Sequence, residues 1–395
     1  MSKEGSLSAP MQMASLLWAA VAAAALATSA ATAAAVVARG DCHTVVFDQT
    51  DVELHLRTMV VEDQLKQRSL VLLGADDRSE PCTLRWWLDH NPQGVVTCTG
   101  ASQQGDVEAR DRRAATCRPA ECNVDPNAVE LGYVRTMLAS TAFAPQARTM
   151  SAICIELGCR SRVRHAMMPG TLLQAAPEVR WAQRPRPGRI LVIGLGSSTM
   201  ALWLRRAFPE SALDIAELAP GVARAAACFG LDTSDPLLHI HVRDGRSFLE
   251  SSADGAYDAI LVDAFDSNAS LPACFRTRSF FEAARRKLAS GGALSLNLLA
   301  GRSSLRVLQS MASAFETAGG HIWVGEAPGA QGIQNVITAF AKGRARATPG
   351  LSTARSSTAA PTSSEPLRLA QEWFAAARYH VLDNKVLADV KAFED

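Results

Sequence analysis

The fold class is decided by residues 189–199, which have the sequence RILVIGLGSST. The short apolar run at the start is typical of a parallel strand that is buried on both faces. A turn with Gly194 and Gly196 follows at once, and residues 200–208 are predicted to form a helix that Pro209 ends. This order of strand, glycine turn and helix predicts the first unit of an α/β domain.

The alternation of strand and helix continues to residue 340. Further strands are predicted at 212–217, 238–242, 257–263 and 292–298, and helices at 220–229, 277–288 and 303–318. Two last strands, at 321–325 and 335–340, flank a loop with Gly and Pro that suits an antiparallel pair. The predicted fold class is α/β, with a doubly wound, Rossmann-like sheet of seven strands that ends in a reversed hairpin.

The rest of the chain is less regular. Residues 42–73 are rich in β-branched residues and predict a small antiparallel sheet, and a helix is predicted at 133–143. The sequence divides into a hydrophobic leader at 1–40, a small β region at 41–75, an irregular region with an insertion at 76–187, the Rossmann-like domain at 188–342, a disordered linker at 343–365 and a C-terminal amphipathic helix at 366–395.

The leader and the cysteines bear on location. Residues 11–38 contain no charged residue and are long enough to cross a bilayer, so we interpret them as a secretory signal or a single membrane anchor. Seven of the nine cysteines lie between Cys42 and Cys159, which is compatible with disulfides in an oxidising compartment. The expected location is the lumen of the secretory pathway or its membrane, with an organelle or the cytoplasm as open alternatives.

Composition and charge exclude some function classes. The chain has 395 residues, and its 40 Lys and Arg residues balance 39 Asp and Glu residues, which argues against a dedicated nucleic-acid binder. No catalytic serine elbow, phosphate-binding lysine loop or zinc-protease helix motif occurs. His239 and His241 share one face of a predicted strand, but no third ligand accompanies them, so we expect no metal.

The candidate site residues follow the carboxyl ends of four predicted strands, where ligands bind in sheets of this kind. The candidates for cofactor binding are Gly194, Gly196, Ser197, Glu217, Asp244, Gly245 and Asp263, and the candidates for catalysis are Asp263 and Asp266. Glycines let a ligand approach the backbone, and a carboxylate at a strand end can accept hydrogen bonds from ribose hydroxyls. Each candidate also has a plainer interpretation. The glycines would only form a tight turn, Glu217 would be a solvated loop carboxylate and Asp244-Gly245 a plain turn. Of Asp263 and Asp266, one would be a buried helix-capping aspartate and the other exposed.

Together these motifs resemble the spermidine-synthase-like branch of the class I S-adenosylmethionine-dependent methyltransferase superfamily, over residues 185–342. The resemblance is carried by the segments ILVIGLGSST, LDIAELAPGVARAAACFGL, VRDGRSFLE and YDAILVDAFD. It implies that Gly194 and Gly196 line the methionine part of the cofactor, that Glu217 holds the ribose and that Asp244-Gly245 contacts adenine. It also implies that Asp263 accepts a proton in aminopropyl transfer and that Asp266 is the second aspartate of that motif.

The chain also departs from that family. It has Ser267-Asn268-Ala269-Ser270 after the second aspartate, and the Tyr-His-Glu segment that recognises substrate in the synthases has no counterpart upstream. We therefore expect an S-adenosyl-L-methionine-dependent methyltransferase, whose acceptor is an unidentified small molecule or protein. The alternatives are a polyamine aminopropyltransferase that uses decarboxylated S-adenosylmethionine and a catalytically silent binding module. Membrane attachment through residues 11–38 and a homodimer are further expectations.

Overall fold

The computed structural model describes residues 44–63, 65–77, 94–99, 117–129, 131–145, 181–184, 186–265, 270–299, 302–315, 321–329, 332–341, 365–376 and 378–381. The predicted leader lies outside these ranges, and so does the predicted linker except Glu365. Within the described part of the chain, no helix has both the length and the hydropathy that a membrane span requires.

Four antiparallel strands form the first sheet, in the order β1 Thr44–Asp51, β2 Leu56–Glu62, β3 Gln67–Gly74 and β4 Val95–Thr97. The predicted small antiparallel region is therefore confirmed. β4 is an addition, because it lies in a region where the sequence predicted no strand. Both faces of β2 are covered: Val60 joins the main core, and Met59 and Val61 pack with Val71 on the other face.

The main sheet has eight strands, in the order β14-β12-β13-β11-β10-β7-β8-β9. Before it come α1 Gly132–Ala142 and a short antiparallel pair, β5 Phe143–Pro145 and β6 Trp181–Gln183. The main strands are β7 Arg189–Ile193, β8 Ala212–Glu217, β9 Leu238–Val242, β10 Tyr257–Val262, β11 Leu288–Leu299, β12 His321–Gly329, β13 Gly332–Phe340 and β14 Arg378–Val381. The helices are α2 Thr199–Ala207, α3 Pro220–Ala225, α4 Gly245–Ser251, α5 Arg278–Lys287, α6 Arg302–Phe315 and α7 Glu365–Ala376.

Five neighbouring strands, β11, β10, β7, β8 and β9, run parallel, and β13 is antiparallel to both β11 and β12. The predicted doubly wound sheet with a reversed last hairpin is confirmed. The prediction of one helix over 366–395 is wrong in part, because α7 is followed by β14, which pairs with β12 as an eighth strand. Residues 378–381 form a strand because β12 offers them an edge for pairing, and the periodicity of apolar residues along the sequence cannot show such pairing.

The alternating side chains of β7 show how the sheet divides the core. Ile190 and Val192 pack on one face, in the cluster that includes Trp203 of α2, whereas Leu191 and Ile193 pack on the other face. This period of two is what a strand covered on both sides requires. The helices therefore form a layer on each side of the sheet.

Arg184 fixes α1 to the sheet. Its guanidinium donates to the carbonyl oxygens of Ser140 and Thr141 at 3.3 Å, and to those of Asp258 and Gly291 at 3.2 and 2.9 Å. Burial lowers the pKa of Arg184 to about 10. Because two of these carbonyls lie in the last turn of α1, the cation also complements the negative end of that helix.

Two disulfides hold the segment before α1. Cys98 is bonded to Cys122, and Cys117 is bonded to Cys228, which lies directly after α3 in the Rossmann-like domain. One bond thus lies within the predicted cysteine cluster, and the other reaches a cysteine that the cluster did not include. Cys274 is the free cysteine of the described residues.

Candidate functional site

Backbone hydrogen bonds join the carboxyl ends of the parallel strands. The N–H of Gly194 donates to the carbonyl of Ala216 at 2.9 Å, and the N–H of Asp263 donates to the carbonyl of Ile193 at 2.9 Å. The N–H of Arg243 donates to the carbonyl of Glu217 at 2.9 Å. The ends of β7, β8, β9 and β10 are therefore adjacent, and the residues that follow them share one edge of the sheet.

The glycine turn after β7 approaches β10 closely. Gly194 has a φ of +92°, and a Cβ atom there would lie 2.3 Å from the carbonyl oxygen of Asp263. Ser197, which follows Gly196, bonds its Oγ to Oγ1 of Thr199 at 2.9 Å. Glycine is therefore required at position 194 because the turn packs against the backbone at the end of β10.

Glu217 holds the turn from the end of β8. Its Oε2 accepts from the N–H of Leu195 at 2.9 Å, and its Oε1 accepts from the N–H of Ala219 at 2.8 Å. Burial raises the pKa of Glu217, and these backbone hydrogen bonds oppose that rise. Because an ionised carboxylate has about four acceptor positions, each oxygen can accept a further hydrogen bond from a ligand hydroxyl.

The Asp244-Gly245 pair has a structural role of its own. Oδ1 of Asp244 accepts from the N–H of Ser247 at 2.8 Å and caps the N-terminus of α4. A Cβ atom on Gly245 would lie 2.4 Å from Cγ2 of Ile193, so the packing of α4 against β7 requires glycine there. The pair therefore caps and starts a helix and does not form a plain Asp-Gly turn, and a contact with adenine stays a prediction.

Asp263 lies in a polar cluster at the end of β10. The hydroxyl of Tyr133 donates to its Oδ2 at 3.2 Å, and Nδ2 of Asn297 donates to its Oδ1 at 3.0 Å. Burial raises the pKa of Asp263 to about 6, although both hydrogen bonds lower it. Burial, and then the carboxylate of Asp263, raise the pKa of Tyr133 well above 10. The cluster therefore contains a carboxylate that changes its charge near neutral pH beside a phenol that keeps its proton.

Sequence reasoning missed Tyr133 and Asn297. Tyr133 lies in the helix predicted at 133–143, but its contact with Asp263 was not expected, and the absence of a Tyr-His-Glu segment stays a prediction. Asn297 is buried near the carboxyl end of β11, and a buried amide at that end of a parallel strand was the available signal. Asp266 lies outside the described residues.

A separate network of charged side chains joins β7, β8 and β9. Asp214 is buried and pairs with Nε of Arg189 at 2.6 Å and with Nε2 of His241 at 3.0 Å. These contacts lower the pKa of Asp214, against the effect of its burial. Among the residues with described positions, no three His, Cys, Asp or Glu side chains are grouped so that they could hold a metal ion.

The chain is similar in sequence to known proteins over part of its length. The chain is 33% identical over 115 residues to the polyamine aminopropyltransferase of Vibrio vulnificus, which covers 29% of this chain and 38% of that protein. It is 30% identical over 145 residues to the human eEF1A lysine and N-terminal methyltransferase, which covers 34% of this chain and 20% of that protein. The matched part of the chain is thus similar to spermidine synthases and to a related protein methyltransferase.

The similarity in fold to a solved structure extends over more of the chain than the similarity in sequence. A probable spermidine synthase from Corynebacterium glutamicum superimposes with a TM-score of 0.50 at 18% identity, over 88% of this chain and 95% of that one. No protein-family model matches the chain. The sequence matches span less than two fifths of the length of these two curated relatives. They show a shared region of sequence, and the activity of this chain has to be inferred from the residues of its site.

Proposed function

We propose that this chain is an S-adenosyl-L-methionine-dependent methyltransferase of the spermidine-synthase-like type. The observation that carries the proposal is the position of Asp263, which shares one sheet edge with the Gly194 turn and Glu217 and is held by Tyr133 and Asn297. When bound, the cofactor supplies an electrophilic methyl group on its sulfonium. The chain then needs to bind it, align an acceptor and receive a proton.

The residues at this edge fit an adenosyl group. The Gly194 turn packs directly against the backbone of Asp263, so the turn and this carboxylate adjoin, and Glu217 retains acceptor capacity for ribose hydroxyls. Leu218 follows Glu217 with 57% of its surface exposed, which supplies an apolar face for a purine ring. Oδ1 of Asn297 is buried and has no hydrogen-bond partner among the described residues, so it is available to a ligand N–H.

Asp263 suits the role of proton acceptor for the attacking group. With a pKa of about 6 it is ionised at neutral pH, yet it is basic enough to take a proton during transfer. The hydroxyl of Tyr133 and the amide of Asn297 fix both of its oxygens. A fixed base next to the transferred methyl contributes through alignment as well as through proton transfer.

Calorimetry with S-adenosylmethionine and S-adenosylhomocysteine tests the proposal. Both ligands should bind the wild-type chain, and Glu217→Ala should weaken both by at least about tenfold, because two ribose hydrogen bonds to a charged acceptor are lost. Glu282→Ala, on the exposed side of α5, is the control and should bind like wild type. No binding, or an unchanged affinity in Glu217→Ala, contradicts the proposal.

A second candidate is aminopropyl transfer from decarboxylated S-adenosylmethionine. The contact between Tyr133 and Asp263 favours it, because an amine acceptor is protonated at neutral pH and needs a nearby base. Release of methylthioadenosine from putrescine and that donor would support this candidate, and no release would exclude it for putrescine. Turnover that Asp263→Asn abolishes, with either donor, would exclude a silent binding module.

We also propose that the protein works in an oxidising compartment, as the secretory lumen or a membrane facing it provides. The support is the pair of disulfides, since such bonds are rare in reducing compartments. Attachment through residues 11–38 and a homodimer remain proposals of the same kind. Fractionation of cells that express a tagged full chain would test the location, and recovery in the cytosol with reduced cysteines would contradict it.

A further inference from the structure

Side chains hold α1 at both of its ends. In the first turn of α1, the hydroxyl of Tyr133 donates to Oδ2 of Asp263, which directly follows β10. In the last turn, the carbonyl oxygens of Ser140 and Thr141 accept from Nη1 of Arg184 at 3.3 Å. A helix length of about 10–12 Å separates the two ends. A change in the position of α1 at one end is therefore transmitted to the other end.

Arg184 joins the last turn of α1 to the beginnings of two strands. Its Nη2 donates to the carbonyl oxygen of Asp258, the second residue of β10, at 3.2 Å, and to that of Gly291, near the start of β11, at 2.9 Å. Its Cζ lies 5.7 Å from the centre of the Phe340 ring of β13. Because a guanidinium is a planar fork with five N–H donors, it fixes these carbonyl groups relative to one another.

The contact at the other end of α1 is sensitive to the position of the helix. The oxygen atoms of Tyr133 and Asp263 are 3.2 Å apart, whereas such bonds usually measure about 2.5–3.0 Å, so a small displacement of α1 would break this one. Two other hydroxyls of α1 donate to carbonyl groups of α1 itself, from Thr136 and from Ser140. These hydroxyls therefore do not attach the helix to the sheet.

The environment of Asp263 is built by two side chains and one turn. α1 supplies Tyr133, β11 supplies Asn297, and the turn at Gly194 supplies backbone. Burial raises the pKa of Asp263, and the hydrogen bonds from Asn297 and Tyr133 lower it. The charge of Arg184 is not among these causes. Arg184 can therefore change this pKa only through the positions of Tyr133 and Asn297.

We propose that Arg184 is a positioning residue that fixes α1 so that Tyr133 can hold Asp263. It acts on the proton acceptor from the opposite end of β10 and touches neither the cofactor nor the acceptor. The inference rests on the proposed function in one respect, since Asp263 is the proton acceptor there. The placement of Tyr133 by Arg184 can be tested without cofactor and without turnover.

The test is a carbon-13 NMR titration of the aspartate carboxyl groups in the full chain, with the signal of Asp263 assigned by Asp263→Asn. In Arg184→Lys, which keeps the charge but loses the fork, the pKa of Asp263 should rise by about 0.5–1, as in Tyr133→Phe, because one hydrogen bond to the carboxylate is lost. The double variant should show no further rise over Tyr133→Phe. If Arg184→Lys does not fold, Phe340→Leu takes its place and should raise this pKa in the same direction.

Arg68→Lys is the matched control. Arg68 is a buried arginine of β3 whose guanidinium donates to the carbonyl of Cys228 at 2.6 Å, away from α1. This variant should leave the pKa of Asp263 unchanged. A rise in Arg68→Lys equal to that in Arg184→Lys overturns the inference, because the effect is then general.

An unchanged pKa of Asp263 in Arg184→Lys also overturns the inference. So does a further rise in the double variant, because Arg184 then acts by a route other than Tyr133. The affinity for S-adenosylhomocysteine should stay within about twofold of wild type in Arg184→Lys, since Glu217 and the Gly194 turn follow other strands. No binding of that ligand by wild type contradicts the proposed function and leaves the titration result valid.

Discussion

The hydroxyl of Tyr133 lies 3.2 Å from Oδ2 of Asp263, although 130 residues separate them in the chain. α1 presents the phenol to the end of β10, and the other oxygen of the carboxylate is held by Asn297 of β11. Three elements that are distant in sequence thus determine the environment of one carboxylate. The first predictions concern this group.

Turnover should depend on pH through Asp263. Because burial raises its pKa to about 6 and the base must be ionised, kcat/KM should rise with pH and level off above that value. Asn297→Ala removes a hydrogen bond that lowers this pKa, so the acidic limb should move to higher pH. A pH–rate profile of both proteins checks this, and an acidic limb that stays in place in the variant would contradict it.

Tyr133→Phe should lower kcat by about 10- to 100-fold, because the variant loses the donor that fixes Oδ2 of Asp263. The acidic limb should also move to higher pH, since the tyrosine lowers the pKa of Asp263. Tyr257→Phe is the matched control. Tyr257 lies at the start of β10, and its hydroxyl contacts Ser252. If both variants lose activity to the same extent, the loss in Tyr133→Phe comes from a general effect on the protein and not from the contact with Asp263.

Asp263→Asn should make the protein more stable as it removes activity. The pKa of Asp263 is raised from 3.8 to about 6, so the folded state binds its proton more tightly and loses stability as pH rises through that interval. At pH 8 the variant should gain about 1–3 kcal/mol in the free energy of unfolding, with little gain at pH 4. Urea denaturation at both pH values measures this, and an equal gain at both would refute the assignment.

Gly194→Ala should destabilise the domain by about 2–4 kcal/mol and abolish cofactor binding. The new Cβ would lie 2.3 Å from the carbonyl oxygen of Asp263 at a φ of +92°, and a backbone atom cannot move aside as a flexible side chain can. Gly74→Ala is the control, because nothing lies within 4 Å of a Cβ there. Thermal melts with and without S-adenosylhomocysteine compare them, and equal losses would show that the turn has no special constraint.

The disulfides should be detectable in solution. Without reductant, alkylation should modify Cys274 but spare Cys98, Cys117, Cys122 and Cys228. The double variant Cys117→Ser/Cys228→Ser should lose about 2–5 kcal/mol of stability, because this bond closes a loop across 111 residues. Cys274→Ser should change stability little. Complete alkylation of the native chain without reductant would refute the pairing.

The main sheet could be predicted because its information is local. Each apolar run from β7 to β11 is followed by a turn and an amphipathic segment, so the order of these strands and helices follows from the sequence. β4 and β14 could not be found this way, because three and four residues carry too little pattern and form strands only by pairing with β3 and β12. Such pairing is a tertiary effect.

The candidate site was predicted where topology alone places residues together. Gly194, Glu217 and Asp263 follow parallel strands, so their shared edge was a consequence of the fold class. Arg184 and the packing of the core hold α1 in place. The contact of Tyr133 with Asp263 depends on this placement, and no local motif encodes it. The need for glycine at position 245 could also be seen only in the structure, because it comes from close packing against Ile193.

The short eighth strand affects how the protein behaves at high concentration. β14 pairs with the middle of β12, from Trp323 to Glu326, so these backbone groups cannot add a strand from a neighbouring molecule. A long exposed edge strand promotes aggregation, and an edge strand of four residues does so far less. The C-terminal segment therefore contributes to solubility, and truncation before Arg378 would expose a nine-residue strand to self-association.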